Sequence, residues 1–180
     1  MNAPIPKQYP VTDAVNEALA VTLRGCEELI PKEDWIKKLA KSEATGVPLR
    51  IKLGLDPTAP DIHVGHTVVL NKMRQLQNLG HQVIFLIGDF TSLIGDPSGR
   101  NSTRPPLTPE QIKANAETYY RQASLVLDPT KTEIRYNSEW SLPLGAMGMI
   151  QLAAKYTVAR MMERNDFHDR FKAGTPISVH

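Results

Sequence analysis

The stretch Asp56-Pro-Thr-Ala-Pro-Asp-Ile-His63-Val-Gly-His66 joins an apolar run at 49–55 to an amphipathic run at 67–79. The first run is typical of a buried strand, and the second has the periodicity of a helix. Two histidines therefore lie at the first turn of a helix that follows a strand. The leading amides of a helix have no intrahelical acceptor and lie at the positive end of its dipole. This arrangement predicts an anion site, where the imidazoles would add hydrogen bonds to a triphosphate.

Strand and helix alternate further along the chain. Residues 82–87 are apolar without alternation, as in a parallel strand covered on both faces, and residues 132–136 predict a third strand. The capping box Thr108-Pro-Glu-Gln111 begins the helix between them. This order implies right-handed crossovers and a parallel sheet. We therefore predict an α/β protein with a Rossmann-type parallel sheet and flanking helices.

The organisation of the chain follows from the same patterns. Helical spacing at 12–28 and 31–41 predicts N-terminal helices that precede the first strand. We expect an N-terminal helical segment at 1–47 and a nucleotide-binding catalytic domain at 48–180. The chain stops in the apolar run Gly174-Thr-Pro-Ile-Ser-Val-His180, whereas domains usually end in polar residues. We therefore expect this domain to be truncated at its C-terminus.

A helical region is predicted at about 144–173, and it is rich in methionine and alanine. Core packing is the first interpretation of its methionines, because Met fills irregular gaps in cores. A subunit contact is the alternative, since adaptable methionine-rich faces also serve at interfaces. The residues concerned are Met147, Met149, Met161 and Met162.

Composition excludes several classes of protein. Hydrophobic residues make up 41% of the chain, which indicates a globular rather than a disordered protein. The net charge of +2 is compatible with RNA handling but does not argue for it. The single Cys26 excludes an internal disulfide and a cysteine-based zinc cage. Because no run is apolar enough for a bilayer or a signal peptide, we expect a cytoplasmic protein without membrane contact.

Polar clusters follow each predicted strand, at 56–66, 88–104 and 137–140. Parallel sheets bind ligands beyond the carboxyl ends of their strands, so these clusters predict one shared site. A metal is not predicted there, because Asp56 and Asp61 precede the histidines without a recognised metal-site spacing.

A long loop is predicted from Gly88 to Pro106, and its stretch Gly95-Asp-Pro-Ser-Gly-Arg100 matches neither a Walker loop nor a G-x-G-x-x-G motif. By itself it indicates a turn, because Asp-Pro and Ser-Gly both mark turns. Asp96 is a candidate partner for an ammonium group. Arg100 and Arg104 either form a solvated basic loop or offer mobile charge to a leaving pyrophosphate.

Specific motifs connect the chain to a known family. His63-Val-Gly-His66 matches the His-x-Gly-His signature of class I aminoacyl-tRNA synthetases, which other nucleotidylyltransferases share. Four longer runs are more specific, and with them the chain resembles the bacterial tyrosyl-tRNA synthetases over essentially its whole length. These runs are Lys52-Leu-Gly-Leu-Asp-Pro-Thr58, Gly88-Asp-Phe-Thr91, Ile94-Gly-Asp-Pro-Ser-Gly-Arg100 and Tyr136-Asn-Ser-Glu-Trp140.

The resemblance implies the first half of a class I catalytic domain. Such an enzyme activates tyrosine with ATP and Mg²⁺, loads tRNA(Tyr), and forms a homodimer, here through helices around 144–165. Matching positions imply catalytic roles for Thr58, His63 and His66; ATP binding by Gly65, Arg100 and Arg104; and tyrosine binding by Asp56, Thr91, Asp96 and Asn137, with Trp140 supporting the pocket. Some family members carry Tyr-Cys where this chain has Lys52-Leu53, so the contacts of that pair are not transferred.

Some family features are missing from the sequence. No Lys-Met-Ser-Lys-Ser loop occurs in the 180 residues, and the family's phenol-reading residues would follow His180. We therefore expect these residues alone to be inactive. Two alternatives stay open: a cofactor adenylyltransferase with the same His-x-Gly-His signature, and a synthetase-like protein that binds a partner or RNA without catalysis.

Overall fold

Three parallel strands form the centre of the protein. The computed structural model describes residues 8–94 and 107–177. Strands β1 (Arg50–Leu55), β2 (Gln82–Ile87) and β3 (Thr132–Tyr136) pair in the order β1-β2-β3. All pairs are parallel, with Leu53 opposite Phe85 and Phe85 opposite Ile134. The predicted α/β fold with a parallel sheet is confirmed.

Helices precede, connect and follow the strands. They are α1 (Asp13–Leu23), α2 (Lys32–Thr45), α3 (Val64–Asn78), α4 (Asp89–Ile94), α5 (Pro109–Ala123), α6 (Ser138–Ala153), α7 (Val158–Met161) and α8 (Asn165–Lys172). Helix α3 connects β1 to β2, while α4 and α5 lie between β2 and β3. No helix in the described ranges has the length and apolarity needed to cross a bilayer.

The main core lies between one face of the sheet and helices α3 and α5. Alternate residues of a strand point to the same face, so Val83, Phe85 and Ile87 of β2 are all buried together. Leu70 of α3 and Tyr119 of α5 are buried in the same cluster. The other face of β2 is only half-buried. The predicted burial of both faces therefore holds for one face of this strand within the described residues.

A buried glutamine fastens α3 to the turn before β3. The Gln77 side chain is fully buried, and its Nε2 donates to the carbonyls of Asp128 and Lys131 and to Thr132 Oγ1, at 2.8–3.1 Å. Its Oε1 accepts the N–H of Asp128 at 2.9 Å. Burying an amide is favourable only when its hydrogen-bonding capacity is used. Gln77 thus aligns β3 with the crossover helix.

The N-terminal helices pack onto this core through one lysine and one tryptophan. Lys72 Nζ of α3 donates to the carbonyls of Val21, Thr22 and Arg24, at 2.7–3.1 Å. These carbonyls lie at the C-terminal end of α1, where a cation also stabilises the helix dipole. Trp35 packs against both the main cluster and the smaller N-terminal one. The domain division at residue 47 stays a prediction.

Several helix boundaries differ from the predicted ones. Helix α1 ends at Leu23 rather than near 28, before Gly25, which has a φ of +73°. Residues 89–94, predicted as loop, form α4. Helix α6 begins at Ser138 rather than 144 and is kinked at Gly145, where φ is 59°. Glycine tolerates these positive φ values, and local periodicity does not reveal them.

The late helices are more exposed than predicted. No residue of α6 is buried, and the side chains of Met147 and Met149 are 68% and 40% exposed. Core packing is therefore wrong for these two methionines within the described structure. Their exposure favours the alternative of a contact surface.

Candidate functional site

Helix α3 begins with a mutual cap made by the two histidines. His63 is the N-cap residue, and its Nδ1 accepts the N–H of Gly65 at 3.1 Å. In return, His66 Nδ1 accepts the N–H of His63 at 3.1 Å. The helix therefore begins at Val64, three residues before the predicted start. The interpretation of His63 and His66 as first-turn residues is consistent with this geometry.

The caps determine which nitrogen of each ring carries a proton. An Nδ1 that accepts an N–H has no proton of its own, so each neutral imidazole is assigned as the Nε2–H tautomer. The ring centroids of His63 and His66 are 4.1 Å apart, and His66 also makes an edge contact with Tyr119 at 6.3 Å. His63 is exposed and His66 is half-buried. Both rings can thus donate from Nε2 to one anionic ligand.

Gly65 is required by the position of the His63 ring. A Cβ at residue 65 would lie 2.8 Å from Cε1 and 2.9 Å from Nδ1 of His63. Real Cβ contacts essentially never come this close, so any side chain would displace the ring. The sequence motif did not reveal this steric reason for the glycine between the histidines.

A second group forms where the three strands end. Thr91 Oγ1 donates to Asp56 Oδ1 at 2.8 Å, and Asn137 Nδ2 donates to Thr91 Oγ1 at 3.0 Å. Asn137 Oδ1 accepts the N–H of Phe90 at 2.8 Å, which orients the amide. Three of the residues predicted to bind tyrosine are thus joined in one hydrogen-bonded chain. The chain presents the Asp56 carboxylate at the carboxyl edge of the sheet, where its negative charge favours a cationic ligand group.

Gly88 lies against this chain with no room for a side chain. A Cβ there would lie 1.8 Å from Asp56 Oδ1 and 2.6 Å from Thr91 Oγ1. The N–H of Gly88 donates to the carbonyl of Leu55, so the backbone of β2 continues alongside Asp56. The glycine therefore lets the Asp56 carboxylate cross the neighbouring strand end.

Sequence reasoning missed a brace between α4 and α6. Asp89 Oδ2 accepts the hydroxyl of Ser138 at 2.6 Å, and Asp89 Oδ1 accepts the N–H of Ser138 at 3.0 Å. These bonds hold the start of α6 beside the start of α4 and so help to place Asn137. Both residues stand in motifs quoted from the sequence, Asp89 two residues before Thr91 and Ser138 directly after Asn137.

An ion-pair ladder crosses the sheet toward the same edge. Glu133 bonds to both Arg50 and Arg135 at 3.0 Å, and Arg135 also pairs with Glu139. Hydrogen bonds from Arg135, and secondarily from Arg50, lower the pKa of Glu133. Arg135, and secondarily the N–H of Tyr136, lower the pKa of Glu139. Tyr136 has a raised pKa, first because of burial and then because of nearby carboxylates. The ladder therefore extends to lower pH the range in which both carboxylates are ionised.

Helix α5 holds the loop that joins the Asp56–Thr91–Asn137 chain to the histidine cap. Asn115 Nδ2 donates to the carbonyl of Pro57 at 3.0 Å, and Thr118 Oγ1 donates to the carbonyl of Pro60. Gln122 Oε1 accepts the N–H of Ile62 at 2.9 Å. These three side chains recur at helical spacing beside the buried face of α5, a pattern visible in the sequence but not interpreted there.

The other residues predicted for the site are either exposed or outside the described residues. Thr58 is exposed, and its N–H donates to the carbonyl of Asp56 at 2.8 Å. Trp140 is 48% exposed at the start of α6. Asp96, Arg100 and Arg104 lie outside the described residues. Across 8–94 and 107–177, no three His, Cys, Asp or Glu side chains form a group that could hold a metal ion.

Known proteins resemble the chain in sequence. Over 173 residues it is 79% identical to the tyrosine–tRNA ligase of Cupriavidus pinatubonensis, which covers 96% of the chain and 42% of that relative. Over 162 residues it is 81% identical to the tyrosine–tRNA ligase of Ralstonia nicotianae, which covers 90% of the chain and 41% of that relative. The chain therefore spans about two fifths of the length of these relatives.

Solved structures resemble it in fold. The C-terminally truncated mitochondrial tyrosyl-tRNA synthetase of Coccidioides posadasii superimposes with a TM-score of 0.68 at 21% identity, covering 90% of the chain and 47% of that structure. The corresponding protein of Aspergillus nidulans gives a TM-score of 0.65 at 20% identity, covering 92% and 54%. At these identities the similarity shows the fold alone.

A family model gives the most direct assignment. The model described as tRNA synthetases class I (W and Y) matches residues 44–180. This match sets aside the cofactor adenylyltransferase alternative. Because it spans well over half of the sequence, the chain belongs to the class I tRNA synthetases of the W and Y family.

Proposed function

We propose that the protein containing this chain activates tyrosine with ATP and transfers it to tRNA(Tyr). The single observation that carries the proposal is the arrangement at one sheet edge, where a histidine-capped helix and the Asp56–Thr91–Asn137 chain are joined by one short loop. The first group suits an anion and the second suits an ammonium group. The relatives at 79% and 81% identity are named tyrosine–tRNA ligases, which supports tyrosine as the amino acid.

The histidines are proposed to bind the ATP phosphates and ribose through their Nε2–H donors. The amides of His63, Gly65 and His66 already have acceptors within the chain, so they are not the main phosphate ligands. The imidazoles instead extend the positive end of α3 toward the ligand. Thr58 and His63 are assigned to the terminal phosphate, and His66 to the ribose side. Gly65 leaves a flat backbone for the adenine.

The tyrosine ammonium is proposed to bind at Asp56. Thr91 and Asn137 hold this carboxylate by hydrogen bonds of 2.8 and 3.0 Å, so it needs no rearrangement to accept a cation. Asp96 is proposed as a second carboxylate for the ammonium, and Arg100 and Arg104 for the pyrophosphate. These three assignments rest on matching positions in the family.

The proposed chemistry needs positioning more than a base. The tyrosine carboxylate is already ionised at neutral pH, so its oxygen attacks the α-phosphorus directly. A bond forms between that oxygen and phosphorus, and the bond to the bridging oxygen breaks, which releases pyrophosphate. The histidine donors stabilise the charge that builds on the phosphoryl oxygens, and the bound geometry reduces the entropic cost.

Mg²⁺, the oligomer and the compartment complete the proposal. Mg²⁺ commonly binds through substrate phosphates with few protein ligands, which fits a site whose described donors are imidazoles and single carboxylates. We propose a homodimer through the helices around 144–165, supported by the exposure of apolar residues there. We also propose a cytoplasmic location, in keeping with its tRNA substrate.

Pyrophosphate exchange tests the proposed function. The complete gene product is incubated with ATP and labelled pyrophosphate, together with tyrosine, tryptophan or pantetheine phosphate. We expect exchange that depends on tyrosine, followed by charging of tRNA(Tyr). Exchange that depends on tryptophan, or no exchange with any amino acid, would overturn the proposal.

A further inference from the structure

Helix α5 presents a second, polar stripe to the loop that precedes the histidines. Asn115, Thr118 and Gln122 are spaced three and four residues apart, so they lie on one side of the helix. Each is half-buried, and each bonds to the loop backbone at Pro57, Pro60 or Ile62. The stripe therefore contacts the loop along its length.

The loop needs such partners because of its composition. Pro57 and Pro60 have no N–H, and the segment between β1 and α3 belongs to no strand or helix. Its carbonyl groups still require donors where water is excluded. Asn115 supplies the donor for the carbonyl of the buried Pro57, and Thr118 donates to the carbonyl of the exposed Pro60; together these bonds determine where the loop carries Thr58.

Gln122 makes two hydrogen bonds to the loop. Its Oε1 accepts the N–H of Ile62, and its Nε2 donates to Asp61 Oδ1. An N–H can only donate and a carboxylate can only accept, so the orientation of this amide is determined by its partners. Ile62, packed against the main core, directly precedes the N-cap His63. Gln122 thus holds the two residues before the histidine cap.

We propose that Asn115, Thr118 and Gln122 are positioning residues for the reaction. They act through the loop, placing Thr58 and the His63 ring relative to the nucleotide phosphates, and they do not touch the substrate. This inference rests on the proposed function, because it concerns the geometry of the same site. A displacement of about 1 Å at such a site can cost about a hundredfold in rate.

The packing of α5 makes this role separable from folding. The core contacts of the helix come from a different set of residues, Ile112, Ala116, Tyr119 and Ala123, all of which are buried. Changes in the polar stripe leave those contacts intact. We therefore expect a large effect on the reaction rate and a small one on thermal stability.

The test introduces a negative charge at Gln122 in the complete gene product. Gln122→Glu keeps the acceptor for Ile62 but places a second carboxylate against Asp61, which repels the loop. We expect the maximal rate of tyrosyl-adenylate formation to fall about tenfold to a hundredfold, with little change in the KM for tyrosine. Adding Asp61→Asn restores a donor–acceptor pair, so the double variant should recover most of the rate.

Two controls separate position from charge and folding. Arg121→Gln removes one positive charge from the neighbouring exposed residue, matching the charge change of Gln122→Glu, and should retain the wild-type rate. Asp61→Asn alone keeps an acceptor for Gln122 and should also remain near the wild-type rate. A rate for Gln122→Glu equal to that of Arg121→Gln, or a loss that Asp61→Asn does not repair, would overturn the inference.

A readout independent of activity distinguishes the two proposals. If the wild-type protein forms no adenylate, the proposed function is overturned. The contact between Gln122 and the loop is then tested by hydrogen exchange alone. Gln122→Leu removes both side-chain bonds, and we expect it to accelerate amide exchange across residues 57–63 by about tenfold. Unchanged exchange in this segment would overturn the inference whatever the enzyme does.

Discussion

At the residue scale, the site depends on two glycines that leave space for other side chains. Gly65 makes room for the His63 ring, and Gly88 makes room for the Asp56 carboxylate. Neither has a positive φ, so close approach rather than backbone freedom explains both. The positions of the His63 ring and the Asp56 carboxylate therefore depend on neighbouring residues that have no side chain.

A double-mutant cycle tests the contact between Gly65 and His63. In a His63→Ala background no ring occupies the space, so Gly65→Ala should stabilise the helix through its better propensity. In the wild type the same change displaces the ring and loses the cap, which costs about 1 kcal/mol. Urea unfolding should therefore give a coupling energy of about 1 kcal/mol between the two sites. Additive effects would contradict the proposed contact.

Burial of His81 predicts a pH dependence of stability. The side chain is 6% exposed, its Nδ1 accepts the N–H of Leu49 at 3.4 Å, and burial lowers its pKa below the ordinary 6.5. The unfolded chain then binds a proton more readily than the folded chain. This contribution is fully present above pH 6.5 and is lost as the pH falls toward the lowered pKa.

The measurement compares His81→Asn with the wild type. Urea unfolding at about pH 7.5 and about pH 5.5 spans the titration of an ordinary histidine. We expect the wild type to lose more stability between these conditions than His81→Asn, which keeps an acceptor for Leu49 but does not titrate. Equal losses in the two proteins would show that His81 is not responsible.

At the element scale, helices α3 and α5 each have two functions. Their apolar faces cover the same side of the sheet, while their polar residues position the neighbouring segments. In α3 these residues are Lys72, which holds α1, and Gln77, which holds the turn before β3. In α5 they hold the loop between the proposed binding groups. The crossover helices thus connect core packing to site geometry.

The hydrogen bonds of Gln77 predict a large effect on stability. Gln77→Leu keeps the volume but removes the side-chain partner of the part-buried Asp128 N–H and of the Lys131 carbonyl. An unsatisfied buried group costs about 1–3 kcal/mol, so we expect a loss of at least about 2 kcal/mol in urea unfolding. Asn71→Leu, an exposed change on the same helix, should stay within about 0.5 kcal/mol. A Gln77→Leu loss no larger than this control would contradict the prediction.

At the scale of the whole molecule, apolar surface is unevenly distributed. Helix α6 exposes Leu142, Met147 and Ile150 at 65%, 68% and 65%, with no buried residue of its own. A helix that is apolar nearly all round is normally buried in a stable protein. The apolar side chains of α6 are therefore available for contact with another surface, which supports the proposed homodimer.

Sedimentation of the complete gene product tests that assembly. Ile150→Glu places a charge on the exposed surface of α6, and we expect it to weaken the dimer at least about tenfold, because a buried unpaired charge is costly. Leu125→Glu alters an apolar residue that is 86% exposed after α5, and this variant should stay dimeric. A dimer that tolerates Ile150→Glu and dissociates with Leu125→Glu would place the interface elsewhere.

The sequence alone was sufficient for the order of the three strands and of the helices that connect them, apart from α4. Strand and helix periodicities are local, so β1, β2, β3 and most helices follow from neighbouring residues. The parallel arrangement follows from the alternation of strands and helices, because strands joined by a crossover helix run in the same direction. His63 and His66 were singled out by a local motif, whereas the roles of Asp56, Thr91 and Asn137 came from the family resemblance and stay predictions.

Only the tertiary structure determined how these groups are held. The close approach of Gly88 to Asp56 and the bonds from α5 to the loop join residues that are up to 61 positions apart. Such pairings depend on three-dimensional packing, which no local pattern records. For the same reason the segment at 89–94 was predicted as a loop, although packing beside the strand ends makes it a helix that orients Thr91. Local propensity determined the elements of this protein, and side-chain contacts between distant elements determined its proposed site.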